Sequence, residues 1–164
     1  MDLDAFETED LLLAALKSEI DARNIYLSVA EKAKSSYLKD RLRFIADEEK
    51  KHREFVEGIY RTHYPEKEMV VPDDSPVPLP EVRVDGRFVP VSEVLMKAME
   101  SETAASEFYL YLAGRYKDED PTRKMLLYFS DMEKGHFNLL QQEKERIDLE
   151  EDYELEWGLM HAGP

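Results

Sequence analysis

The chain contains no cysteine, which excludes a disulfide framework, a thiolate metal site and an iron–sulfur cluster. Any metal it holds must therefore be bound by oxygen and imidazole nitrogen. Glycine and proline are scarce, 6 and 8 of 164 residues, so the chain has few devices for interrupting regular structure. No apolar run approaches the roughly 20 residues of a membrane span. The first residues, Met1-Asp2-Leu3-Asp4, are acidic where a secretion signal is basic. A soluble, cytoplasmic protein is expected. Positive charge is also short: 22 Lys and Arg against 37 Asp and Glu leave a net charge of -15. Such a field repels phosphate backbones and argues against nucleic acid as a partner.

What is abundant is Glu, Lys, Leu and Ala, with 43% hydrophobic and 36% charged residues. These are strong helix formers, and the balance suits helices with heavily charged outer faces. A length of 164 residues is enough to bury a core without staples, so one all-α domain over residues 1–164 is expected.

The sequence repeats itself. Leu12, Ala15, Ser18, Glu19, Ala22, Tyr26, Leu27 and Ala30 recur 83 positions later as Leu95, Ala98, Ser101, Glu102, Ala105, Tyr109, Leu110 and Ala113. Leu42, Asp47, Glu49, Lys50 and His52 recur 84 positions later as Leu126, Asp131, Glu133, Lys134 and His136. Steps of three and four along Ala15, Glu19, Ala22, Tyr26 and Val29, and along Leu42, Ile45, Glu49, His52, Val56 and Ile59, mark helical stripes. Four helices are predicted at about 8–34, 36–61, 92–114 and 121–147. Ser92 is a candidate N-cap, and Asp120 before Pro121 is a stronger one. The repeat thus describes two helical hairpins.

Between them, residues 62–91 include Pro72, Pro76, Pro78, Pro80 and Pro90 and cannot continue a helix. A crossover running the length of a four-helix bundle is expected there, with a small hairpin formed by Val82–Val84 and Arg87–Val91 around Asp85-Gly86. Residues 148–164, acidic at Leu149-Glu150-Glu151-Asp152-Tyr153 and carrying Trp157, are read as a C-terminal tail.

Residues three apart share a helix face, so Glu49 with His52, and Glu133 with His136, each present a carboxylate and an imidazole to one place. Glu19 and Glu102 add one inward carboxylate from each remaining helix, in the middle of otherwise apolar stripes. Four carboxylates carry about -4, which two divalent ions would neutralise in a low-dielectric core; without metal they would repel, and some would take up protons. A two-metal site follows, with Glu19 and His52 serving one ion, Glu102 and His136 the other, and Glu49 and Glu133 bridging. Each Glu-x-x-His alone is a weak signal. Its weight comes from recurrence at equivalent repeat positions, and six buried polar groups without metal would be costly. Tyr26 and Tyr109, two turns beyond Glu19 and Glu102, are placed either to hydrogen-bond the ligands or simply to fill the core. Asp47 and Asp131 fall on the far side of their helices and are read as solvated. His63 and His161 lack suitably spaced partners and are expected to be exposed, and Met99, Met125 and Met132 are read as core filler.

Glu19-Ile20-Asp21-Ala22-Arg23-Asn24-Ile25-Tyr26, with Ala30-Glu31-Lys32-Ala33, Glu48-Glu49-Lys50-Lys51-His52, Glu102 and Glu133-Lys134-Gly135-His136, closely resembles the di-iron domain of rubrerythrins. The resemblance covers about residues 8–147 and implies a ferritin-like four-helix bundle of two hairpins joined by a long crossover connection. It further implies two iron ions at the six positions above, reaction with peroxide or oxygen, and a homodimer. Rubrerythrins usually carry a further carboxylate ligand one turn after the third-helix Glu, where this chain has Thr103, Ala104 and Ala105. They also commonly carry a cysteine-ligated rubredoxin domain, which has no counterpart here. The ligand set is closer to that of bacterioferritin, but Lys50 stands in place of that family's haem-binding methionine, so no haem is expected.

The leading expectation is a redox enzyme reducing hydrogen peroxide or oxygen with electrons from an unidentified donor. Ferroxidase activity with iron storage, and a manganese catalase with two manganese ions, use the same ligands. A non-catalytic helical interaction module with structural Glu and His is the alternative from another class; it predicts no stoichiometric metal.

Overall fold

The structure, a computed structural model, describes residues 3–75 and 90–161, with side chains to residue 149. After a 3-10 turn at Leu3–Ala5 come α1 (Thr8–Lys32), α2 (Ser36–His63), α3 (Val91–Ala113) and α4 (Pro121–His161). No strand occurs among the described residues, and the fold is the all-α, ferritin-like four-helix bundle expected. Sequence chemistry sets the helix ends. Ser35 caps α2 by accepting from the Leu38 amide at 3.3 Å, and Asp120 caps α4 by accepting from the Thr122 amide at 2.8 Å. In α1, Glu9 and Asp10 lie in the first turn and Lys32 in the last, each sign matching the helix dipole.

Two expectations are corrected. α3 starts one residue early, with Pro90 at the N-cap, so Ser92 lies inside the first turn. α4 does not stop at 147 but continues to His161, so most of the expected tail is helix. Leu149, Glu150 and Glu151 are good helix formers, and no proline follows until Pro164. The small hairpin proposed at 82–91 lies outside the described residues, apart from Pro90 and Val91, which open α3.

Residues 33–35 join α1 to α2, and residues 114–120 join α3 to α4; connections so short make antiparallel hairpins. Between hairpins, α1 packs on α3 and α2 on α4. Tyr26 meets Glu102 while Tyr109 meets Glu19, so α1 and α3 run antiparallel. His52 lies against Glu133 and His136 against Glu49, so α2 and α4 do too. The halves are thus related by a pseudo-twofold axis across the bundle. This topology makes α2 and α3 parallel, and the chain must travel back about 40 Å, the length of a 28-residue helix, between His63 and Val91. Its first part turns over one end of the bundle, where Met69 and Val71 pack on the core and Lys67 pairs with Glu9.

The core forms two apolar blocks. One contains Leu11, Leu12, Leu16, Val56, Ile59, Phe108, Leu112, Leu126 and Phe129. The other contains Val29, Leu38, Leu42, Ile45, Leu95 and Leu140. Glu19, Glu49, Glu102 and Glu133, with both histidines, occupy the layer between them, at helix positions the blocks leave midway.

Candidate metal centre

All six sequence-predicted ligands come together and are buried: Glu19 3% exposed, Glu49 2%, His52 1%, Glu102 3%, Glu133 1% and His136 4%. They form two overlapping groups, Glu19, Glu49, His52 and Glu133, and Glu49, Glu102, Glu133 and His136. Within each group every residue offers one ligand atom within 4.8 Å of the others, a spread that one cation can span. Glu49 and Glu133 belong to both. The pseudo-twofold shows in the distances: Nδ1 of His52 lies 3.6 Å from Glu19, 3.3 Å from Glu49 and 2.9 Å from Glu133. Nδ1 of His136 lies 3.6 Å from Glu102, 3.0 Å from Glu133 and 3.3 Å from Glu49. The imidazole rings face each other with centroids 5.8 Å apart and planes at 26°.

Short distances do not mean satisfied groups. Glu19 Oε2, Glu49 Oε1, Glu133 Oε1, His52 Nδ1 and Nε2, and His136 Nε2 are shut off from solvent without a hydrogen-bond partner. His52 Nδ1 sits near three carboxylates yet points along none of their hydrogen-bond directions. Each unpaired buried polar group costs about 1–3 kcal/mol, and a cation among them would relieve several at once. The donor set, carboxylate oxygen and imidazole nitrogen, suits iron or manganese.

Electrostatics tell the same story. Burial, and then the charges of Glu49 and Glu133, push the Glu19 and Glu102 carboxyls well above the usual carboxylate range. Burial also acts on Glu133, but the hydrogen bond with His136 and the nearby His52 ring outweigh it and bring that carboxyl down to about 2. For His52, burial disfavours the charged ring, yet Glu133, Glu19 and Glu49 together raise it to about 12; His136 is raised for the same reasons, with Glu102 the leading partner. Without a cation, Glu19, Glu102, His52 and His136 thus hold protons that offset part of the cluster's negative charge.

The tyrosines do more than pack. The Tyr26 hydroxyl donates to Glu102 and the Tyr109 hydroxyl to Glu19, each crossing to the carboxylate of the other hairpin rather than to that of its own helix. Burial raises both phenols well above their ordinary value, so they stay neutral donors. Asp47 and Asp131 are exposed as expected, Asp131 pairing with Lys134 at 2.7 Å. His63 is exposed, its Nδ1 3.1 Å from the Ile59 carbonyl, while the His161 side chain lies outside the described region. Met99 and Met132 pack against the two core blocks, whereas Met125 is 37% exposed and is not core filler.

Phe129 was not anticipated. Its ring lies 4.3 Å from that of His52 and braces it. The available signal was its place four residues before Glu133 on the same stripe. Glu143 is also buried, 3.1 Å from Arg146 and 4.0 Å from Arg41; it ties α4 to α2 one apolar layer away from the centre.

A four-carboxylate, two-histidine cluster in the middle of two antiparallel hairpins defines the ferritin-like carboxylate proteins. Within that class the sequence matches the rubrerythrin family over residues 10–88 and 93–158. The chain belongs to the rubrerythrin family. A solved structure described as a hypothetical protein from Pyrococcus furiosus is similar, with a TM-score of 0.79 and 36% identity over 88% of this chain and 92% of that one. No curated protein matches the chain. No helix among the described residues is long and apolar enough to cross a membrane.

Proposed function

We propose that this protein is a di-iron redox enzyme that reduces hydrogen peroxide or oxygen. Glu19 and His52 hold one ion, Glu102 and His136 the other, and Glu49 and Glu133 bridge them. The observation that carries this reading is the convergence of buried oxygen and nitrogen atoms that have no hydrogen-bond partner on two points sharing the same two carboxylates. A ferrous pair would supply two electrons and stabilise charge on the departing oxygen. The chain's own residues do the rest. Tyr26 and Tyr109 hold the outer oxygens of Glu102 and Glu19, leaving the inner ones to face the centre. Phe129 fixes the plane of the His52 ring, and the two apolar blocks keep bulk water away from both ends. Electrons come from an external donor. The chain acts as a single domain in a cytoplasmic homodimer, the setting implied by the resemblance to rubrerythrins.

Anaerobic titration of the metal-free protein with ferrous iron, followed by peroxide or oxygen, tests the reading. Saturation at two irons per chain and rapid growth of ferric absorbance in the near ultraviolet are expected. Saturable binding of manganese but not iron would move the proposal to a manganese enzyme, and no saturable binding of either would refute it.

A further inference from the structure

A pocket of about 430 Å³ opens between α3 and α4, lined by Glu102, Thr103, Ser106, Glu107, Lys134, Phe137 and Asn138. Its floor is buried, with Glu102 3% and Ser106 6% exposed, while Thr103, Glu107, Lys134 and Asn138 form an exposed rim. It therefore connects solvent to a carboxylate of the metal centre. We infer that this pocket is the route by which divalent metal ions reach the site; the inference rests on the two-metal reading above.

The chemistry of the lining favours a cation. Thr103 Oγ1 donates its proton to the Met99 carbonyl at 3.0 Å and Ser106 Oγ donates to the Ser130 carbonyl at 2.8 Å. Ser130 Oγ, 3.0 Å from Ser106 Oγ, then donates to it, so of the two hydroxyls the one at the rim, on Thr103, keeps the freer oxygen for a cation. Glu107 stands at the rim and Glu102 at the floor, so carboxylates mark both ends of the path. Lys134, the one cation lining the pocket, is 2.7 Å from Asp131.

The pseudo-twofold supplies an internal control, because the same positions of the first hairpin carry Glu19, Ile20, Arg23, Asn24, Lys50, Arg53 and Glu54. Where Ser106 leaves room, the first hairpin has Arg23, whose Nε is buried without a hydrogen-bond partner. Where Phe137 stands, it has Arg53, 3.1 Å from Glu57. Arginine at the place of the floor serine obstructs that side by bulk, and with Lys50 3.7 Å from Glu54 and Arg53 3.1 Å from Glu57 it is the charge of Arg23 that repels an incoming cation. Two halves that match at every ligand thus differ at the approach to them.

The test is stopped-flow mixing of metal-free protein with Co²⁺, read by its visible absorption, with stoichiometry taken at equilibrium. Asn138→Trp and Thr103→Trp block the rim without touching a ligand; each should slow uptake about tenfold or more, as expected when access requires the chain to open, while still binding two ions. Glu107→Gln should slow uptake and flatten its dependence on salt. Asn24→Trp, the pseudo-symmetric substitution, should leave the rate unchanged. If both tryptophan variants of the rim fill at the wild-type rate, or if Asn24→Trp slows uptake equally, the route is wrong although the site stands. If wild-type protein takes up no cobalt saturably, the two-metal reading itself fails and the route with it.

Discussion

Replacing Tyr26 by Phe deletes one oxygen from a buried ring and leaves the Glu102 carboxyl short of a donor. A hydrogen bond to a charged acceptor contributes about 1.5–3 kcal/mol, and losing such an outer partner of a metal ligand typically weakens affinity about 10–100-fold; the two figures agree, since about 1.4 kcal/mol is tenfold. Where the loss falls is the sharper point. Tyr26 shares a helix with Glu19, but its hydroxyl crosses to Glu102, so the ion held by Glu102 and His136 should weaken and the other should not. Calorimetric Co²⁺ titration of a double-mutant cycle reads this directly. Tyr26→Phe should couple to Glu102→Gln by about 1.5 kcal/mol or more and to Glu19→Gln by no more than about 0.5 kcal/mol, the usual scatter for groups that do not interact. Coupling to Glu19 in place of Glu102 would refute the crossed arrangement, and no coupling to either would make the tyrosines mere filler.

Glu49→Ala or Glu133→Ala should abolish binding of two ions, because each removes a carboxylate common to both groups, whereas exposed Asp47→Ala should do little; retention of two ions at unchanged affinity by Glu49→Ala would overturn the ligand assignment. Metal affinity should rise with pH, because His52, raised to about 12, and the raised Glu19 and Glu102 must shed protons on loading, while Glu133, at about 2, is already ionised. Calorimetry in buffers of different ionisation enthalpy counts the released protons, and zero would contradict the electrostatics. The sign for folding is separate: the raised His52 stabilises the metal-free protein below its unfolded value of 6.5, and that contribution is lost as pH rises through about 12. Leu126→Ala, at a position with no exposed surface, should cost about 2–5 kcal/mol in denaturant unfolding; a cost below about 1 kcal/mol would mean that the apolar block beside the centre is loosely packed.

The sequence by itself determined the helices and which six polar side chains share their inner faces. Helical periodicity is local, so Glu49 with His52, and Glu133 with His136, are bound to share a face wherever their helices go, and the internal repeat then pairs Glu19 with Glu102 by position alone. Caps are local too, which is why Asp120 could be recognised; Ser92 could not be settled because Pro90 competes for the same end, and α4 outran its expected limit because an acidic run of helix formers reads equally as tail or helix. What only the tertiary structure decided are the relations between helices. The directions of α1 against α3 and of α2 against α4 are set by how two hairpins bury their stripes together, and no spacing along one helix encodes them. From those directions follow the crossing of Tyr26 to Glu102 and Tyr109 to Glu19, the contact of Phe129 with His52, and the pocket between α3 and α4 in which Ser106 stands where the other half has Arg23. Each joins residues from different helices, and side chains so far apart in sequence meet only once packing has fixed which faces oppose one another.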